Sequence, residues 1–96
     1  MIQEHEIVLY QVEGTNICVN VVFKDETFWM TQKAMAELFD VNVPAISKHL
    51  SNIFEEGELF KEATVSKMEI VQMEGNRKVK REPEFYNLDA ILAVGY

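Results

Sequence analysis

Residues 30–50 read MTQKAMAELFDVNVPAISKHL, which is two short helix-like runs separated by a DVNVP break. Thr31 can cap the first run because its hydroxyl can accept a hydrogen bond from a free backbone N–H group of the first turn. Asp40 tolerates the left-handed conformation that ends a helix at such a bend. Asn42 can cap the second run, and Pro44 falls in its first turn, where a missing N–H costs nothing. The stretch therefore predicts two helices joined by a tight turn.

The second helix, predicted from about Val43 to about Phe54, has two dissimilar faces. Its apolar residues recur at helical spacing and predict a buried stripe with two flanking side chains: Ile46, Leu50 and Ile53, flanked by His49 and Phe54. The opposite face carries Pro44, Ser47, Lys48, Ser51 and, farther along, Glu55, so that its part nearest the N-terminus is small, neutral or positive. Such a face fits a DNA groove, and the first-turn amides can hold a phosphate. The alternative is an exposed face with no partner, for which Ser and Lys are ordinary.

Two segments before the helices, EIVLYQV (6–12) and NICVNVVF (16–23), are rich in β-branched and aromatic residues. Turn residues separate them, so they predict an antiparallel hairpin, and FWM (28–30) predicts a brief third strand. Three aromatic residues near the helix pair are interpreted as core: Phe28, Trp29 and Phe39.

The chain after the helices predicts a second hairpin and a last helix. TVSKMEIVQM (64–73) forms one extended arm, EGNR supplies the turn, and KVKRE (78–82) returns, with Pro83 ending the pair. NLDAILAV (87–94) predicts a short helix capped by Asn87.

Composition indicates one globular domain. The chain has 96 residues, of which 48% are hydrophobic, and its longest purely apolar runs are only a few residues, so no membrane-spanning segment is predicted. The only cysteine, Cys18, excludes an internal disulfide and a multi-cysteine metal site. Acidic residues stand near the start, where a signal peptide needs positive charge, and we therefore expect a cytoplasmic protein.

Charge is distributed unevenly along the chain. The formal net charge of −7 argues against indiscriminate binding to nucleic acid, because phosphate repels a uniformly negative surface. Four of the nine basic residues lie within the five positions 77–81 of the predicted second hairpin: Arg77, Lys78, Lys80 and Arg81. Lys78 and Lys80 are predicted to share one strand face, bracketed by the two arginines, as in a DNA-binding wing. The alternative is an edge hairpin kept soluble by its charge.

The stretch QKAMAELFDVNVPAISKHLSN (32–52) resembles the helix-turn-helix of phage repressors and bacterial regulators, whose second helix enters the major groove. Ala36 matches that motif's small crossing residue, and Val41 matches the apolar residue after its turn. Two residues depart from the motif. Asp40 stands where glycine is usual, and His49 stands at a half-buried position that is usually apolar.

The chain from roughly residue 20 to 96 is similar to the N-terminal part of the virulence-associated RhuM family. The similarity is carried by FWMTQKAMAELFDV, ISKHLSNIFEEGEL and EFYNLDAILAVGY. It implies a bacterial DNA-binding virulence factor that is usually longer than this chain.

The sequence gives little support for an enzyme, because it contains no glycine-rich phosphate loop, nucleophile elbow or metal-ligand spacing. We therefore expect no enzyme activity, no cofactor, no metal site and no small-molecule substrate. The competing interpretation is a winged-helix module that binds another protein or dimerises.

Together these features predict an α+β winged helix-turn-helix with an N-terminal β-hairpin. Residues 1–96 are expected to form this single domain, at the N-terminal end of a longer protein. The expected partner is double-stranded DNA, bound in a sequence-specific manner, and a homodimer is compatible because two-fold operators call for dimers. The predicted DNA-contacting residues are Lys33, Asn42, Val43, Pro44, Ser47, Lys48, Ser51, Arg77, Lys78, Lys80 and Arg81.

Overall fold

The computed structural model describes residues 6–11 and 13–95. Its strands are β1 (Glu6–Gln11), β2 (Cys18–Lys24), β3 (Thr27–Met30), β4 (Val65–Lys67), β5 (Ile70–Glu74), β6 (Arg77–Arg81) and β7 (Glu84–Asn87). Its helices are α1 (Gln32–Phe39), α2 (Val43–Glu55), α3 (Lys61–Thr64) and α4 (Leu88–Gly95). The α+β class is thus confirmed, and the strand and helix pairs lie in the predicted order.

The strands form two antiparallel sheets. The larger sheet has the order β1-β2-β3-β7-β4, and β5 pairs only with β6. The predicted N-terminal hairpin is confirmed by the pairing of β1 with β2, although Val12, at the end of its predicted first strand, lies outside the described residues. The brief third strand is confirmed as β3.

The larger sheet has a core on each of its two faces. Successive side chains of a strand point to opposite faces, so that Met30 belongs to one cluster and its neighbour Trp29 to the other. The larger cluster joins the sheet to α1, α2 and α4. The smaller cluster consists of Val22, Trp29, Met68 and Phe85, with Ile70 of the β5–β6 hairpin packed against it. The hairpin is therefore anchored on the sheet face opposite to the helices.

The prediction of one extended arm over residues 64–73 is wrong. Thr64 ends α3, where its Oγ1 donates to the carbonyl of Phe60 at 2.7 Å. β4 then pairs with β7 in the larger sheet, whereas β5 pairs with β6. The chain turns between β4 and β5 because Met68 is buried in the smaller cluster and its amide donates to the carbonyl of Pro83.

The described residues contain no helix that is long and apolar enough to cross a membrane. The longest, α2, has 13 residues.

Candidate nucleic-acid interface

The joint between α1 and α2, which is the turn that connects them, is stabilised by side chains that accept hydrogen bonds from backbone amides at the helix ends. Thr31 Oγ1 accepts a hydrogen bond from the Ala34 amide at 3.1 Å, which confirms it as the cap of α1. Asp40 takes the left-handed conformation, with φ 55° and ψ 50°, and so ends α1 as predicted. Asn42 Oδ1 accepts from the Ala45 amide at 2.8 Å and caps α2. The sequence therefore determines both helix boundaries and the direction change between them.

The inward side of α2 is a tightly packed apolar stripe. Ile46, Leu50 and Ile53 are all buried, as predicted, and Ile46 is 0% exposed. Of the two flanking residues, Phe54 is half-buried against the larger cluster, whereas His49 is exposed. The prediction for His49 is wrong because the two residues lie on opposite flanks of the stripe, and only the Phe54 flank is covered by neighbouring elements.

The outward side of α2 is exposed and free of acidic residues until its end. Pro44, Ser47, Lys48 and Ser51 are exposed, and no acidic residue occurs from Val41 to Phe54. Lys48 is the only lysine of α2, which contains no arginine. Val41, which matches an apolar position of the helix-turn-helix motif, is also exposed.

Sequence reasoning missed two exposed polar residues on α2, Asn52 and His49. Asn52 follows Ser51 and extends the polar face toward the C-terminus of the helix. Asn side chains can make two hydrogen bonds to the major-groove edge of adenine, so Asn52 joins the candidate base-contacting residues. The signal was present in the helical spacing, since Asn52 lies well away from the buried stripe.

The N-terminus of α2 offers fewer free amides than expected. Pro44 has no N–H, and the Ala45 amide is already bonded to Asn42. Among the first three residues of α2, Val43 is therefore the one whose backbone N–H is not bound by the Asn42 cap. Asn42 and Val43 are exposed, as predicted for contact residues, but the Asn42 side-chain oxygen is used within the joint.

The β5–β6 hairpin presents its basic residues on two different faces. Lys78 and Lys80 lie opposite Met73 and Val71 and share one face, as predicted. All four of these side chains are exposed. This face therefore combines two ammonium groups with two apolar side chains.

The two arginines bracket the lysines along β6, but they lie on the other face of the hairpin. Strand alternation puts Arg77 and Arg81 on the opposite face, together with Ile70 and Glu74. The Arg81 guanidinium donates to both carboxylate oxygens of Glu74 at 2.8–3.0 Å. Arg81 is therefore already engaged by an acid at close range, whereas the contact of Lys80 with Glu69 is 4.0 Å long.

Lys33 lies beside the base of the hairpin. It is exposed on the first turn of α1 and lines a cleft of about 230 Å³ together with Ile70 and Val71 of β5. Glu37, one turn farther along α1, lines the same cleft. The structure thus brings Lys33 close to the basic hairpin.

The described residues contain no group of three His, Cys, Asp or Glu side chains placed to hold a metal ion. The candidate interface consists instead of the outer face of α2, the lysine face of the hairpin and Lys33. No protein-family model, curated protein or solved structure matches the chain.

Proposed function

We propose that this chain is a sequence-specific double-stranded DNA-binding domain of a bacterial virulence-associated or mobile-element regulator. In this proposal α1 and α2 form the helix-turn-helix of a winged-helix arrangement. α2 lies in the major groove, and the β5–β6 hairpin is the wing that contacts the backbone or the minor groove. The similarity to the RhuM family supports the bacterial assignment.

The observation that carries the proposal is the outer face of α2. A helix that reads DNA must bring its side chains close to base edges without placing acids beside phosphates. Ser47 and Ser51 are small hydrogen-bonding residues, and Lys48 can meet a phosphate or a guanine. The buried stripe beneath them fixes the rotation of the helix, so this face is directed outward.

The basic residues outside α2 supply the expected phosphate contacts. The lysine face of the hairpin and Lys33 are exposed, and their attraction to the backbone is independent of sequence. The net charge of −7 opposes the approach of DNA to the rest of the surface. Binding should therefore depend strongly on salt and on the orientation of the domain.

The test is a selection of binding sites from a pool of randomised duplexes, followed by fluorescence anisotropy on the selected duplex over a range of salt concentrations. Lys48→Ala should weaken binding and lower the slope of log affinity against log salt by about 1 if Lys48 contacts a phosphate. Lys61→Ala is the matched control, because it removes the same charge from the exposed surface of α3.

Equal losses for the two variants would indicate a general charge effect and would contradict a specific role for α2. If no duplex is bound even at low salt, DNA binding itself is wrong. The alternative function, a winged-helix module for protein interaction or dimerisation, would then be preferred. An exposed apolar face of the same domain favours that alternative.

A further inference from the structure

An apolar groove lies on the helix-bearing side of the larger sheet, beside α4. Its volume is about 380 Å³, and its walls include Tyr10 of β1, Phe28 of β3 and Leu88 of α4. Buried residues Met30 and Ile91 also line it. None of its lining residues within the described part of the chain is charged. The groove exists because β1 and β2 extend the sheet beyond the area that the helices cover.

The groove continues into a larger apolar surface. The Phe23 and Phe28 rings face each other across the β2–β3 pair, with centroids 5.3 Å apart. Leu92 lies one turn beyond Leu88 on the same side of α4. We call this surface the groove face, and its exposed large residues, with their exposed fractions, are Tyr10 (50%), Phe23 (40%), Phe28 (42%), Leu88 (37%) and Leu92 (47%). Phe28 was predicted to be core, and its exposure is therefore a departure from the expected packing.

We infer that the groove face is the interface between two copies of this chain, related by a two-fold axis. Fully buried aromatic side chains cover about 150–250 Å² each, so the exposed parts of these five residues leave on the order of 400 Å² of mostly apolar surface per copy. A standard interface buries about 800 Å² per partner, and about 65% of a homodimer interface is apolar, so these five residues would supply most of the apolar area required. A two-fold contact also lets one patch complement itself, so no second surface is needed.

Charge favours a contact at this face over one elsewhere. Two chains of net charge −7 repel each other, and the five residues of the groove face carry no formal charge at neutral pH. Pairing the two groove faces therefore buries apolar area contributed by five residues that bring no charge of their own. Salt should strengthen the dimer by screening the repulsion, whereas it should weaken DNA binding.

The inference does not rest on DNA binding, because the groove face includes none of the residues proposed to contact DNA. It is tested by sedimentation velocity on the unmodified chain over about a hundredfold range of concentration, at low and high salt. We expect a monomer–dimer equilibrium that shifts toward dimer as salt is raised. Phe28→Asp and Leu92→Asp should each weaken the dimer at least about tenfold, since each places a charge within the apolar interface.

Phe60→Asp is the matched control, because Phe60 is 70% exposed on a different segment of the chain. It should leave the dimer unchanged. A second measurement uses the unmodified chain alone: NMR signals of the Tyr10 and Phe28 rings should shift with protein concentration, whereas those of Phe60 should not.

A wild-type chain that stays monomeric throughout the concentration range would overturn the inference. So would a dimer that survives both groove-face substitutions with unchanged affinity. A dimer abolished by Leu9→Lys but not by Phe28→Asp would indicate pairing through the opposite face of β1, where Leu9 is exposed, and it would also overturn the proposed interface.

Discussion

Helix α2 and the β5–β6 hairpin both present positive charge to solvent, but they are held in place in different ways. α2 is seated by three buried residues, among them Ile46, which is 0% exposed. The hairpin is held mainly by its own strand pairing, by Ile70 against the smaller cluster, and by the Arg81–Glu74 ion pair. The orientation of α2 is therefore set by the core, whereas that of the hairpin depends on weaker, solvent-exposed interactions.

This difference in packing suggests that α2 and the hairpin would make different kinds of contact with DNA. A contact that reads bases requires a side chain held in a defined position, which the core provides for α2. A contact with phosphate tolerates movement, because the attraction is long-ranged and non-directional, and the lysines of the hairpin can provide it. Four tests can break or sharpen the comparison.

The largest effect should come from Ile46→Ala. Removing a fully buried isoleucine side chain costs about 2–5 kcal/mol of unfolding free energy, from lost burial and the cavity left behind. Val79→Ala, in the half-buried centre of β6, is the hairpin counterpart and should cost about 1 kcal/mol or less, since the site is open to collapse and solvent. Urea denaturation followed by circular dichroism measures both. Similar losses would show that the hairpin is as firmly packed as α2.

The second test compares the two faces of the hairpin with equal changes in charge. Lys78→Ala with Lys80→Ala should lower the salt slope of DNA binding by about 2, provided each lysine neutralises one phosphate. Arg77→Ala with Arg81→Ala should lower it less, because Glu74 already engages Arg81. Fluorescence anisotropy over a salt series measures both slopes. The reverse order would mean that the arginine face of the hairpin meets the DNA.

Local features of the chain were predictable because their causes are local. Thr31, Asp40 and Asn42 act on backbone groups within a few residues of themselves, so the helix joint could be derived from the sequence. The buried stripe of α2 follows from helical spacing in the same way.

Features that depend on distant neighbours were not predictable. The exposure of His49 depends on which elements cover α2, and the division of residues 64–73 depends on where Met68 is buried. The pairing of Arg81 with Glu74 depends on strand register, which charge counting along the sequence does not reveal. Sequence therefore indicated which segments are basic, but not which basic side chains are free.

The third test concerns the turn between α1 and α2 and uses Asp40→Gly. Asp40 has φ 55°, where a side chain is disfavoured and glycine is not. The substitution should raise the unfolding free energy by about 0.5–1 kcal/mol, since relief of the strained conformation outweighs the extra freedom of the unfolded chain. Urea denaturation provides the measurement. A loss of stability would mean that the Asp40 side chain stabilises the turn by more than its conformation costs.

The smallest change in stability should come from Glu74→Gln, which tests whether the hairpin withholds a charge from DNA. The Arg81–Glu74 pair is about half exposed, and such pairs contribute roughly 0.2–1 kcal/mol, so the unfolding free energy should change little. Loss of the carboxylate charge leaves Arg81 freer to meet a phosphate, and the salt slope of DNA binding should increase by up to about 1. Glu62→Gln on exposed α3 removes the same charge and is the control. An equal gain in both variants would show that net charge alone matters. A gain confined to Glu74→Gln would mean that Glu74 keeps Arg81 of the hairpin from contacting DNA, whereas the only lysine of α2, Lys48, lies in a stretch without acidic residues from Val41 to Phe54.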